Sequence, residues 1–141
     1  MIEICFHGRY GQAVQKLARS IGNFALNNEK KVQVFDSFSA VRPGAPMYSI
    51  VRVADEIIRE RSANNPQPDV VIVLDNSLVN VVDVLKGLKS GGTVMALNME
   101  QEVLGGKAES INFVALNPYF ADNGSEIEKN LLLALTNQGI L

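Results

Sequence analysis

Three short stretches of this chain carry residue types suited to chemistry or recognition. Gly8-Arg-Tyr-Gly-Gln12 joins an alternating apolar run to a helical one. Its backbone N–H groups and the helix start behind it could hold an anion such as a phosphate, with Gly8, Gly11 and Gln12 as contacts. A dinucleotide fingerprint needs glycines at G-x-G-x-x-G, but Tyr10 and Ala13 stand where further glycines are sought, and no lysine-bearing phosphate loop is present. A glycine turn that lets the first helix pack is the simpler account. The second stretch, Asp36-Ser-Phe-Ser-Ala-Val-Arg-Pro-Gly-Ala-Pro46, is too long and stiff for a plain hairpin turn. Pro43 and Pro46 fix φ, Gly44 is free to take positive φ, and Arg42 is presented for bidentate contact with a carboxylate or phosphate. A solvated loop arginine and a contact residue weigh about equally here, and the apolar residues around Arg42 make a protein the favoured partner for a contact. The third, Asp75-Asn-Ser77, ends an apolar run, where a carboxylate serves either a site or a helix cap, and capping is the simpler role.

His7 and Cys5 are the sole histidine and cysteine. A lone histidine titrates near neutrality or serves structure, and a lone buried cysteine is mostly inert. With one of each, neither a zinc site nor a Cys-His dyad is expected, no metal is assigned, and no catalytic residue stands out.

The elements that must position these stretches follow from periodicity. Ile2, Ile4 and Phe6 alternate with polar residues as a strand, and Val14, Leu17, Ala18, Ile21, Ala25 and Leu26 fall on one helical face that ends at Asn27-Asn28. Strands are expected over Val32 to Phe35 and Met47 to Val53. Asp55 is expected to cap a short helix to Arg61, and Asn64 to Pro68 to form a turn. Val70-Val-Ile-Val-Leu74 is continuously apolar, as a central parallel strand covered on both faces should be. A helix capped at Asn76-Ser77 and running through Leu88 is expected next, then strands Thr93 to Leu97 and Ile111 to Leu116, and a last helix capped by Ser125. The order predicts a three-layer α/β/α domain over residues 1–141 with a mostly parallel sheet, and leaves room for a mixed one. Ligands of such sheets sit beyond the carboxyl ends of the strands, where all three stretches fall.

Composition removes several classes. A formal charge of −2 and 6% aromatic residues without tryptophan argue against a nucleic-acid binder. No apolar run approaches membrane-spanning length, and the single cysteine fits a reducing compartment, so a soluble cytoplasmic protein is expected.

Taken in order, these stretches resemble the gamma subunit or domain of 2-oxoacid:ferredoxin (acceptor) oxidoreductases, the pyruvate:ferredoxin oxidoreductase group. Gly8-Arg-Tyr-Gly-Gln-Ala13 is similar to that family's G-x-G-G-Q-G turn. Ser37-Phe38 with Arg42-Pro-Gly-Ala-Pro46 resembles its S-[FY]-G-x-E-x-R-G-[AG]-P loop, with Ile50-Val-Arg-Val53 the strand after it, and Pro68-Asp-Val-Val-Ile-Val-Leu-Asp75 its P-D-V run. The resemblance implies an assembly component of an enzyme that oxidatively decarboxylates a 2-oxoacid to an acyl-CoA and passes electrons to ferredoxin or a similar acceptor. Thiamine diphosphate, iron-sulfur clusters and coenzyme A belong to the full complex, with none assigned to this chain. Other subunits are the implied partners, met by Ser37, Phe38, Arg42, Gly44, Ala45 and Pro46. The rival from a different class is a free-standing nucleotide- or coenzyme A-binding domain using the glycine turn.

Overall fold

A computed structural model describes the chain over residues 1–9, 12–37, 44–59, 66–116 and 127–141, without the side chains of 105–109. Six strands form one sheet: β1 Ile2–Arg9, β2 Lys31–Asp36, β3 Pro46–Ala54, β4 Val70–Val73, β5 Thr93–Ala96 and β6 Asn112–Ala115, in the order β2-β3-β1-β4-β5-β6. Three of the five pairings are parallel, β1 with β4, β4 with β5 and β5 with β6. β3 runs antiparallel to both β1 and β2. The sheet is thus mostly parallel and mixed, because β2 and β3 are joined as a hairpin by the Asp36–Pro46 stretch. β4 is buried along its whole length between two parallel neighbours, which is why its sequence is apolar at every position.

α1 (Val14–Asn27) lays Val14, Leu17, Ala18, Ile21 and Ala25 on Ile4, Phe6, Val51 and Val53. Leu26, expected on that face, is exposed. α2 (Ile127–Asn137) buries Leu131, Ala134 and Leu135 on the same side of the sheet. On the opposite side, Val71, Val73, Val94 and Ala96 pack against Leu78, Val84, Met99 and Leu104. Those four come from two 3-10 segments, Asn76–Asn80 and Gln101–Ser110, and the connections beside them. Burying each of these large side chains contributes about 1.5–3 kcal/mol.

The α-helix expected from Asn76-Ser77 through Leu88 does not form; a five-residue 3-10 turn and then bends and turns take its place. Its apolar residues are largely β-branched valines. The Asp83 side chain accepts from Leu85 N, and Gly87 sits at φ +80°. A Cβ at Gly87 would come within 2.3 Å of Pro66 O, so this turn is fixed by close backbone approach. The helix expected after Asp55 is also absent over residues 55–59, where Asp55 pairs with Lys30 instead of capping. The rest of that stretch, most of the turn at Asn64 and the Ser125 cap lie outside the described residues. Among the described residues, no helix is long and apolar enough to cross a membrane.

Two consequences position the site. β1 leads into α1 on one face while β4 leads into the first 3-10 segment on the other, so the chain parts between the carboxyl ends of β1 and β4, the place where sheets of this kind form a ligand crevice. At the opposite end, Arg52 Nε donates to Glu3 Oε2 at 2.7 Å, and the Arg52 guanidinium lies 5.1 Å from the centre of the Phe35 ring. Glu3 Oε1 also accepts from Gln67 N, and Glu3 N donates to Asp69 Oδ2, which ties the β3–β4 connection to the sheet.

Candidate functional site

Alternation along β1 sends Glu3, Cys5, His7 and Arg9 to one face, and the strand carries this pattern two residues beyond His7. Gly8 and Arg9, expected in a turn, are therefore strand residues paired with Met47 and Pro46. Gly8 faces α1, where an added Cβ would meet Val14 Cγ2 at 2.3 Å. This glycine is required for α1 to pack against β1.

Arg9 reaches across the crevice. Its Nη1 donates to Gly44 O at 2.8 Å, its Nη2 and Nε donate to Ser77 Oγ at 2.8 and 3.2 Å, and Nε lies 3.3 Å from Asp75 Oδ2. The Gln12 carboxamide accepts from Arg9 N at 2.8 Å and donates to Asp75 Oδ2 at 3.0 Å. Asp75 Oδ1 accepts from both Ser77 N and Ser77 Oγ. The Ser77 hydroxyl, then its backbone N–H, Gln12 and Arg9, hold the Asp75 carboxyl below the usual carboxylate range against a smaller desolvation effect. Asp75 thus caps the 3-10 turn as expected, and also faces the crevice.

The base of the Asp36–Pro46 stretch is fastened at both ends. Asp36 accepts from Ser49 Oγ and from Arg19 Nη2, each at 2.6 Å. Ser37 N donates to Tyr48 O and Ser37 Oγ accepts from Tyr48 N. Gly44 takes φ +82° and is exposed, Ala45 is buried, and Pro46 is half-buried as the first residue of β3. Phe38 and Arg42, like Gly11, lie outside the described residues. An open cleft of about 500 Å³, lined by Asn76, Asn80, Asn98, Glu100 and Val103, adjoins the network through Ser77.

Cys5 Sγ and His7 Nε2 lie 3.3 Å apart, a juxtaposition not anticipated from one residue of each kind. It is not a nucleophilic pair. Burial, followed by the Glu3 charge, pushes the thiol up to about 12, while burial lowers His7 to about 4 despite the opposing Asp83 charge. Both groups are therefore neutral at pH 7, and no thiolate forms. Among the described residues no group of three His, Cys, Asp or Glu side chains could hold a metal. Iron-sulfur clusters take several thiolates, and the one cysteine here is buried on a strand. What the crevice offers is a fork of donors, a fixed carboxylate and carboxamides, which is recognition chemistry.

Sequence reasoning brought Gln12, Gly44 and Asp75 forward, and the structure joins all three through Arg9. Arg9 itself was not singled out. The available signal was the alternation of Glu3, Cys5 and His7, which, continued through Gly8, places Arg9 on the same face.

The match to known proteins covers most of the chain. Residues 3–132 match the family model described as pyruvate ferredoxin/flavodoxin oxidoreductase. The "Pyruvate/ketoisovalerate oxidoreductases common subunit gamma" of Thermococcus kodakarensis is 45% identical over 95 residues, 67% of this chain and 51% of that protein. The "Pyruvate synthase subunit PorC" of Methanothermobacter marburgensis is also 45% identical over 95 residues, covering 67% and 53% respectively. The chain spans about half the length of these curated relatives. The crystal structure of the pyruvate oxidoreductase subunit PORC from Thermotoga maritima superposes with a TM-score of 0.73 at 27% identity, covering 99% of this chain and 78% of that one. Fold, ordered motifs and family match agree: this chain belongs to the pyruvate ferredoxin/flavodoxin oxidoreductase family.

Proposed function

We propose that residues 1–141 act as one gamma-type domain, without a catalytic centre of its own, in a multi-subunit complex that oxidatively decarboxylates a 2-oxoacid. The observation that carries this reading is the convergence of three family-like motifs on one side chain: Arg9 contacts Gly44 of the S-F…R-P-G-A-P stretch and Asp75 of the P-D-V run, and its own N–H is held by Gln12 of the glycine turn. The carboxyl end of the sheet is the surface turned toward other subunits, with Ser37, Phe38, Arg42, Gly44, Ala45 and Pro46 at or beneath the contact. Thiamine diphosphate, iron-sulfur clusters and coenzyme A are supplied with those subunits, in the cytoplasm. Purification of a tagged chain from its native source tests this: a thiamine-diphosphate-dependent partner and 2-oxoacid oxidation should accompany it. Recovery as a monomer without either contradicts the reading. Arg42→Ala should weaken assembly and leave the fold unchanged.

A second reading, a nucleotide- or coenzyme A-binding domain using Gly8, Gly11 and Gln12, is favoured by one observation. α1 starts at Val14 behind Ala13, with no side-chain cap and no acidic residue in its first turn, which leaves N–H groups for an anion. Thermal shift of the isolated chain separates the two, since stabilisation by coenzyme A or ATP supports ligand binding and no shift supports assembly alone.

A further inference from the structure

We propose that Arg9 is the positioning residue of the partner-facing stretch, fixing where the chain re-enters the sheet at Gly44–Pro46; this rests on the assembly role inferred above.

The two ends of the stretch are held differently. On the Ser37 side the β-ladder continues, Ser37 exchanging hydrogen bonds with Tyr48 while Asp36 is bound by Ser49 and Arg19. On the Gly44 side β3 begins at Pro46 with Ala45 and Met47 buried, while Gly44 itself has no side chain, takes φ +82°, and would meet nothing within 4 Å of a Cβ built there. Packing therefore holds Ala45 and Met47 but not Gly44 itself. Arg9, opposite Pro46 in the register of β1 and β3, supplies the anchor through Nη1 to Gly44 O.

The planar guanidinium suits the task. One edge meets the Gly44 carbonyl while the other meets Ser77 Oγ, and the Asp75 carboxylate lies beside Nε. Asp75 is itself held by Ser77 and Gln12, so Gly44 is located relative to β4 as well as β1. A lysine would keep the charge but lack the fork that spans carbonyl and hydroxyl together.

Hydrogen exchange on the full chain, combined with its affinity for the co-expressed thiamine-diphosphate-binding subunit, tests the proposal. Arg9→Met should accelerate exchange over residues 44–48 by about tenfold, leave 70–73 and 93–96 unchanged, and weaken association by about tenfold. Arg9→Lys should fall between the two, and it carries the same comparison if Arg9→Met does not fold. Unchanged exchange over 44–48 overturns the positioning role, and weakened association without faster exchange means that Arg9 touches the partner directly. Faster exchange with unchanged association upholds the anchor and removes this stretch from the interface, which contradicts the assembly reading.

Discussion

Two arginine–carboxylate pairs lie at opposite ends of one face of β1, and they do different work. Glu3 and Arg9 are six residues apart on that strand, about 20 Å in extended chain. Glu3 meets Arg52 with side chains only 5% and 1% exposed, bonded further to Gln67 and stacked near Phe35. Arg9 meets Asp75 with side chains 25% and 20% exposed, and its other donors go to loop atoms. Between them, the buried Cys5 and the half-buried His7 form a neutral pair. The same chemistry fixes the fold where water is excluded and arranges loops where water enters. A desolvated pair cannot lose one member cheaply, whereas a solvated pair contributes little stability and is free to serve recognition.

The comparison breaks most visibly at the buried end. Arg52→Met strands the Glu3 carboxylate and should lower unfolding free energy by about 3–5 kcal/mol in urea denaturation, with much of the loss recovered by adding Glu3→Leu. A loss no greater than that of an exposed pair would erase the distinction.

His7 sharpens it next, through pH. Its folded value near 4 lies below the unfolded value of 6.5, so between them the unfolded chain binds the extra proton. This contribution to stability is complete above the unfolded value and is lost as pH falls, by about 3 kcal/mol from pH 7 to pH 4. His7→Gln should remove that part of the acid slope in denaturation curves measured across the range. An unchanged slope would show that His7 is not held neutral.

Glycines give a smaller pair of effects. Gly8→Ala drives a methyl into Val14 and should destabilise by about 1–3 kcal/mol, whereas Gly44→Ala, in open space, carries only the positive-φ cost of about 1 kcal/mol. Thermal denaturation of the two variants ranks them. Smallest of all, Arg9→Met should cost about 1 kcal/mol or less in the same assay, against an expected weakening of association of about tenfold.

Much of this architecture is legible in local pattern. β1, α1 and β4 follow from alternation, helical spacing and a continuous apolar run, each a property of neighbouring residues. The segment after Asp75 is not, because helical spacing at Val81, Val82, Leu85 and Leu88 is overridden by the Asp83 side chain accepting from Leu85 N and by Gly87 lying against Pro66. The antiparallel seat of β3 and the Glu3–Arg52 pair depend on partners 49 residues apart, for which no local signal exists. Within the candidate site, the glycine turn, Gly44 and Asp75 were marked by turn chemistry and strand ends. Their common contact, Arg9, required knowing that β1 extends through Gly8.

The most direct test of the partner-facing assignment is hydrogen exchange of this chain free and in its assembled complex. The account predicts protection on assembly over residues 36–37, 44–48 and 75–77 at the carboxyl end of the sheet, with the segment around Gln67 and Asp69 unchanged. Protection confined to Gln67 and Asp69, with the Arg9 end still exchanging as in the free chain, would contradict it.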